Sequence, residues 1–268
     1  GYMPQDRDFR EFFVRPIEKE DNKERRMLLG RFVKPFVLRR RKQDVLPELP
    51  EKTEDFCYAE LIGEQKTLYK SIATKQASPL IQLLKDDDTP IPYMHIFALL
   101  ASLKQICNHP AAYLRDVANY ERYESGKWEA FVELLEEAEE SEQKVVVFSQ
   151  YLAMLDIMQA HLIKNNIQYA QIRGETRARG EEIERFNTDP QCRVFLGSLQ
   201  AAGLGIDLTA GSVVIHYDRW WNAARENQAT DRVHRIGQTR GVQVFKMITK
   251  ATVEEKINLM IARKQNLL

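Results

Sequence analysis

The sequence predicts an α/β fold: a parallel sheet with helices on both faces, preceded by a mostly helical stretch. Two textures predict it. After residue 144, short β-rich runs (Val145–Phe148, Tyr169–Ile172, Val194–Leu196, Val213–His216, Val242–Met247) alternate with helical ones (Leu152–Lys164, Arg177–Asn187, Ala223–Ile236). Such alternation argues for a parallel sheet covered on both sides, with functional loops at the carboxyl ends of its strands. Between about residues 5 and 125 the pattern is helical, with apolar residues at three- and four-residue spacing in Lys23–Phe32, Glu64–Lys75 and Met94–Ile106.

The remaining elements follow in order. Pro47, Pro50, the Asp86–Pro90 turn and Pro92 interrupt the helical pattern, and Ser125-Gly126 punctuates it. That places a domain boundary there: residues 1–125 as a helical connector and protrusion, 126–268 as the sheet domain. Trp128–Ser141 reads as an amphipathic helix with Phe131, Leu134, Leu135 and Ala138 inward, its glutamates a solvated face. Thr252–Leu268 closes the chain as a helix with Val253, Ile257, Met260 and Ile261 on one stripe.

With 268 residues, 44% of them hydrophobic and 29% charged, the chain has the composition of a globular protein with a real core. Lys+Arg and Asp+Glu number 39 each, so any nucleic-acid site must be a local patch. No apolar run approaches a bilayer's thickness and no secretory segment is seen, so no membrane association is expected. Cys57, Cys107 and Cys192 are odd in number and far apart, which points to buried thiols in a reducing compartment. Cys107 and His109 lack the further ligands of a zinc site, and no metal ligands are assigned.

The most informative stretch is Gln228-Ala-Thr-Asp-Arg-Val-His-Arg-Ile-Gly-Gln-Thr-Arg240. On a helix Gln228, Asp231, Arg232 and Arg235 share one face. Two guanidiniums three residues apart repel unless an anion sits opposite, and arginine cannot shed its proton. A triphosphate brought by another surface would be such an anion. A plain surface helix is the other reading: Asp231 pairs with Arg235, Arg235 sits at the helix C-terminus, and Gly237 caps it. The helix alone leaves both open.

Its neighbours bear on the choice. Lys144–Tyr151, Leu204–Thr209, His216–Asn222 and the Gln228–Arg240 run, taken in order and spacing, resemble the second motor lobe of SNF2-family ATPases, which belong to the superfamily 2 helicase-like translocases. The resemblance continues upstream through Lys34–Arg40, Leu49–Thr53 and Gln105–Pro110, so it covers nearly the whole chain. It implies a RecA-like sheet domain behind an SNF2-specific helical protrusion, in a compact lobe of bacterial or archaeal character. It also explains a gap: the chain has no G-x-x-x-x-G-K-[ST] phosphate loop, since Ser125-Gly-Lys-Trp128 lacks the first glycine and the hydroxyl, and no acidic run to hold Mg²⁺. In the family those elements belong to a first lobe, which would bring most of the site for ATP and Mg²⁺.

By this resemblance Arg232 and Arg235 are the catalytic arginines reaching across an interlobe cleft to the β- and γ-phosphates, Arg235 as arginine finger, and both should be exposed. Gln228, Gly203, Gly205 and Asp207 fall at nucleotide-binding positions. Ala202 and Asp207 depart from the family's Gly and Asn, and Asp207 gains a charge that suits a ribose hydroxyl or an arginine better than a phosphate. Ser149, Gln150, Arg173, Gly174, Ser198 and Trp221 would line a groove for one DNA strand, touching phosphates rather than bases. Ser149 could equally just cap the following helix. Of the two adjacent tryptophans, Trp220 should pack while Trp221 either packs or faces DNA. The Arg39-Arg-Arg-Lys42 run falls on the family's interlobe connector, where its arginines pack against the motor.

The expectation is therefore the C-terminal half of a double-stranded DNA translocase, inactive without its N-terminal lobe, monomeric, and cytoplasmic at the nucleoid or nuclear according to its source. Two other readings compete: an unwinding helicase of the same superfamily, disfavoured by the long protrusion, and a non-enzymatic α/β binding module, disfavoured by the retained arginine pair.

Overall fold

The computed structural model describes residues 9–33, 49–85, 90, 92–203 and 205–265. Lys34–Arg40, the Arg39–Lys42 run, most of the Asp86–Pro90 turn and Leu204 therefore lie outside the described residues. The chain divides into two compact units, Gly1–Glu48 and Leu49–Leu268. The first holds a π-helical turn, Arg10–Val14, and two helices, α1 (Arg15–Lys19) and α2 (Lys23–Val33). Within it Arg25 stacks 3.5 Å over the Phe12 ring and Asn22 Oδ1 accepts from Arg25 N at 3.0 Å.

The second unit is built on six parallel strands in the order β1-β6-β5-β2-β4-β3. They are β1 (Lys52–Ala59), β2 (Val145–Ser149), β3 (Tyr169–Ile172), β4 (Val194–Ser198), β5 (Val213–His216) and β6 (Val242–Thr249). In chain order the helices are α3 (Gly63–Leu84), α4 (Tyr93–Asn108), α5 (Pro110–Tyr113), α6 (Gly126–Glu140), α7 (Leu152–Lys164), α8 (Arg179–Thr188), α9 (Leu199–Ala202), α10 (Ala223–Thr230) and α11 (Val253–Gln265). Central β2 is buried along its whole length. Its alternate residues enter different cores, as the two-residue strand period requires. Val145 and Val147 pack with Phe131, Met154, Leu155 and Ile215 on one face; Val146 and Phe148 pack with Phe186, Phe195 and Val244 on the other.

The α/β sheet with its helices matches the expected fold class, and two local expectations need correction. First, residues 52–59 are a strand and not part of the helical stretch. This edge strand pairs only with β6 and leaves most of its residues exposed, so it shows no apolar run to read. The compact unit that carries the sheet begins at Leu49.

Second, the helix expected over 223–236 stops at Thr230. To continue, the carbonyls of Arg232 and Val233 would have to accept from residues 236 and 237. Instead Leu208 N donates to Arg232 O and Gln238 Nε2 donates to Val233 O, each at 2.9 Å. Residues 231–237 are turns, and the single helical face predicted for Gln228, Asp231, Arg232 and Arg235 does not exist.

Candidate functional site

The arginine-bearing turn is fixed by bonds from outside it. Buried Gln238 donates to Gly211 O and Val233 O, both at 2.9 Å, and accepts from Thr239 N and Arg240 N, both at 3.0 Å. Val233 is fully buried in the second core. Arg235 Nη1 donates to Ile206 O at 3.3 Å, and Leu208 N donates to Arg232 O. Both arginines are thereby set against the Gly203–Asp207 loop. Both are half-buried rather than exposed, because their turn is pinned to that loop. Arg235 does not pair with Asp231, which removes the surface-helix reading's central contact. Gln228, on α10, is exposed.

The loop itself opens from the end of β4. Ser198 Oγ accepts from Ala201 N at 3.3 Å and caps the short α9. Gly205 has φ +53° with open space where a Cβ would stand, a conformation that suits glycine and lets backbone N–H groups face an anion. Asp207 is exposed, but its Oδ1 accepts from Thr209 N at 3.0 Å, closing its own turn. That is the service an asparagine would also give, so the departure from the family's residue is accommodated locally.

At the carboxyl ends of β2, β3 and β4 lies an open hollow of about 720 Å³, lined among others by Gln150, Arg173, Gly174, Ser198, Gln200 and Trp220. Four of the six residues expected at a DNA strand thus share one surface. Arg173 is braced by Asp156 Oδ1 at 2.5 Å, Gln159 Oε1 at 3.1 Å and Gln171 Oε1 at 3.3 Å. Gly174 O accepts from Arg179 Nη2 at 2.7 Å, which ties the β3 loop to the start of α8.

Ser149 and Trp221 do not join them. Ser149 is fully buried and donates its hydroxyl to Asp218 Oδ2 at 2.5 Å, so its side chain cannot reach a strand in the hollow. Nor is it the N-cap of α7, which is Tyr151. Trp220 packs partly on the second core as expected, yet it also lines the hollow. Trp221 is 43% exposed and lines a separate recess with Asn227, Ile261 and Lys264.

Sequence reasoning missed the polar hub behind this surface. Asp218, fully buried, also accepts from Gln150 N at 3.0 Å and Asn108 Nδ2 at 3.2 Å. Burial raises its carboxyl pKa above the ordinary value, offset by the bonds from Ser149 and Gln150 and by Lys104 and Lys127. Lys127 Nζ binds Asn108 Oδ1 at 3.0 Å and Glu254 Oε2 at 2.6 Å, both ends of the ion pair being buried. Lys104, whose pKa burial lowers, donates to Arg219 O at 3.0 Å, the same carbonyl that accepts from Gln150 Nε2 at 3.2 Å. Arg219 pairs with buried Glu226 at 2.8 Å. The protrusion helix α4 is thus bonded through Lys104 and Asn108 to the loop that presents Gln150. The signal was present in the Gln105–Pro110 and His216–Asn222 motifs, but sequence does not say which polar groups of two motifs meet.

Among the described residues no cluster of three or more His, Cys, Asp or Glu side chains could hold a metal ion. Among them also, no helix is long and apolar enough to cross a membrane.

Known proteins resemble this arrangement. Residues 126–237 match the helicase conserved C-terminal domain family and residues 2–112 the SNF2-related domain family. YwqA of Bacillus subtilis strain 168, named as an ATP-dependent helicase or translocase, is 38% identical over 100% of this chain and 29% of its own length. The Sulfolobus solfataricus SWI2/SNF2 ATPase core, solved in complex with dsDNA, is 34% identical, covers 100% of this chain and 56% of that one, and superimposes with a TM-score of 0.68. The C-terminal domain of the same ATPase is 31% identical, covers 80% of this chain and 87% of that one, with a TM-score of 0.64. The chain spans less than a third of the length of the curated relatives it matches, 29% of the Bacillus protein and 24% of a Mycoplasma genitalium one.

Proposed function

The chain belongs to the SNF2 family, and from that premise we propose that it is the C-terminal motor lobe of an ATP-dependent double-stranded DNA translocase or remodeller. The observation that carries this is the docking of the arginine turn on the glycine loop: Arg232 O on Leu208 N and Arg235 Nη1 on Ile206 O. It holds the turn that carries both arginines beside the glycine loop, which supports a role in binding one side of a triphosphate.

Arg235 is the arginine finger. It stabilises charge on the departing γ-phosphoryl group, an effect worth about 10³–10⁵ in turnover when the arginine is correctly placed. Arg232 holds the β- and γ-phosphates, and Gln228, Gly203, Gly205 and Asp207 complete this lobe's share of the nucleotide site. ATP and Mg²⁺ are held mainly by the N-terminal RecA-like lobe of the same full-length protein. Gln150, Arg173, Gly174 and Ser198 track the phosphates of one strand, while Trp221 meets the duplex from the neighbouring recess. The lobe works as a monomer, at the nucleoid or in the nucleus according to its source.

A direct test is ATP hydrolysis by the 268-residue chain alone, with and without duplex DNA. The proposal requires negligible turnover until the N-terminal lobe is supplied. DNA-stimulated hydrolysis by this chain alone would overturn it.

A further inference from the structure

We propose that His234 is a positioning residue, tying the arginine turn to the point where the preceding chain enters the sheet. The inference rests on the reading of Arg235 given above. His234 Nε2 lies 2.8 Å from Pro50 O. A carbonyl only accepts, so the imidazole donates from Nε2. The next residue, Glu51, accepts from Val242 N at 2.9 Å, and Lys52 then faces Val242 as the first rung of the β1–β6 ladder. Pro50 is thus the last residue before the chain is locked into the sheet, and it lies in the Leu49–Thr53 motif that the nucleotide and DNA surfaces leave without a role.

On the other side of this bond, His234 stands directly before Arg235 and two residues after Arg232. Its backbone belongs to turns, because α10 has already ended at Thr230. The bonds from Leu208 and Gln238 anchor this turn to residues 206–211 and to itself. The His234 bond anchors it to the entering chain. A turn is easier to displace than a helix, so a shift of Pro50 moves Arg235. His234 converts a shift of the entering chain at Pro50 into a displacement of the finger, and misplacement by about 1 Å is enough to lower a rate about 100-fold.

Two substitutions separate this role from bulk packing. In His234→Gln the amide nitrogen falls near the place of Nε2 and keeps the donor; in His234→Asn it reaches only the place of Nδ1 and loses it. Both are made in the full-length motor, and DNA-stimulated kcat, nucleotide Kd and thermal midpoint are measured. His234→Asn should lose roughly 10- to 100-fold in kcat with Kd unchanged, while His234→Gln stays within about threefold of the parent on the same argument. Equal behaviour of the two variants, or a fall in kcat no larger than the fall in folded fraction, overturns the proposal. The two readings fail separately: normal turnover in Arg235→Ala would sink the finger, whereas a dead Arg235→Ala beside a fully active His234→Asn would sink only the role of His234.

Discussion

Lys127→Met probes the polar hub that holds the candidate DNA surface from behind. The substitution keeps the stem's volume and removes one charge. It leaves Glu254 Oε2 without its 2.6 Å partner and Asn108 Oδ1 without its 3.0 Å donor, at sites buried from solvent. At an effective dielectric constant of about 20 the lost attraction across such a distance is gross several kcal/mol. Removing one partner of a buried pair costs about 3–5 kcal/mol net, because the other charge stays buried. Glu254 retains the bond from Thr249 N at 3.0 Å, which favours the lower end of that range. Against a typical total of about 5–15 kcal/mol, the chain should still fold in buffer but unfold at clearly lower urea. Lys127→Met/Glu254→Gln, which removes the stranded charge and keeps an acceptor for Thr249, should recover at least half the loss. Amide exchange at Gln150 should quicken in the single variant, since Asn108 links Lys127 to Asp218 and Asp218 holds that N–H. A loss below about 1 kcal/mol, or a double variant no more stable than the single, would refute the reasoning.

Two further expectations concern pH and DNA. Burial holds His109 and His216 at pKa values of about 4, below the ordinary 6.5, so the unfolded chain takes up protons first as pH falls. Their contribution is complete above about pH 6.5 and is lost toward about pH 4, on the order of 3 kcal/mol for each histidine; a urea midpoint equal at pH 7.5 and 4.5 would contradict it. Trp221, 43% exposed and within cation–π distance of Lys104 at 5.8 Å, adds little to the core. Trp221→Ala in the full motor should therefore impair translocation along duplex DNA more than basal ATP hydrolysis, and undisturbed translocation would return this residue to a packing role.

Much of this molecule was legible in its sequence because burial writes a pattern. β2 is a run of Val-Val-Val-Phe covered on both faces, and its strand assignment followed from that alone. β1 was hidden for the opposite reason: at a sheet edge Glu54, Asp55 and Phe56 all stay exposed, so nothing selects for an apolar run. The end of α10 was hidden too. Its sequence carries no proline or glycine before Gly237, and the helix stops because Leu208 and Gln238, distant in sequence or beyond the break, take the next carbonyls.

The candidate site divides the same way. Gln150, Arg173, Gly174 and Ser198 were legible because each belongs to a loop at a strand's carboxyl end. Ser149 is less legible, because a serine before a helix offers the same letter whether it faces an anion or a buried Asp218. Lys127 was considered only as part of a failed phosphate loop, and its pairing with Glu254, 127 residues away, leaves no local trace.

The central claim is that Arg235 stabilises the transition state of a nucleotide held mainly by another lobe. Its bond to Ile206 O is long and half-buried, so removing it should cost no more than about 1 kcal/mol of stability. The measurement that tests the claim most directly is the single-turnover rate of ATP hydrolysis by full-length Arg235→Ala at saturating nucleotide and DNA, alongside nucleotide Kd. The account predicts a rate lower by at least about 10³ with Kd changed only a few-fold. A near-normal rate would contradict it, and so would a loss that appears only as weaker nucleotide binding.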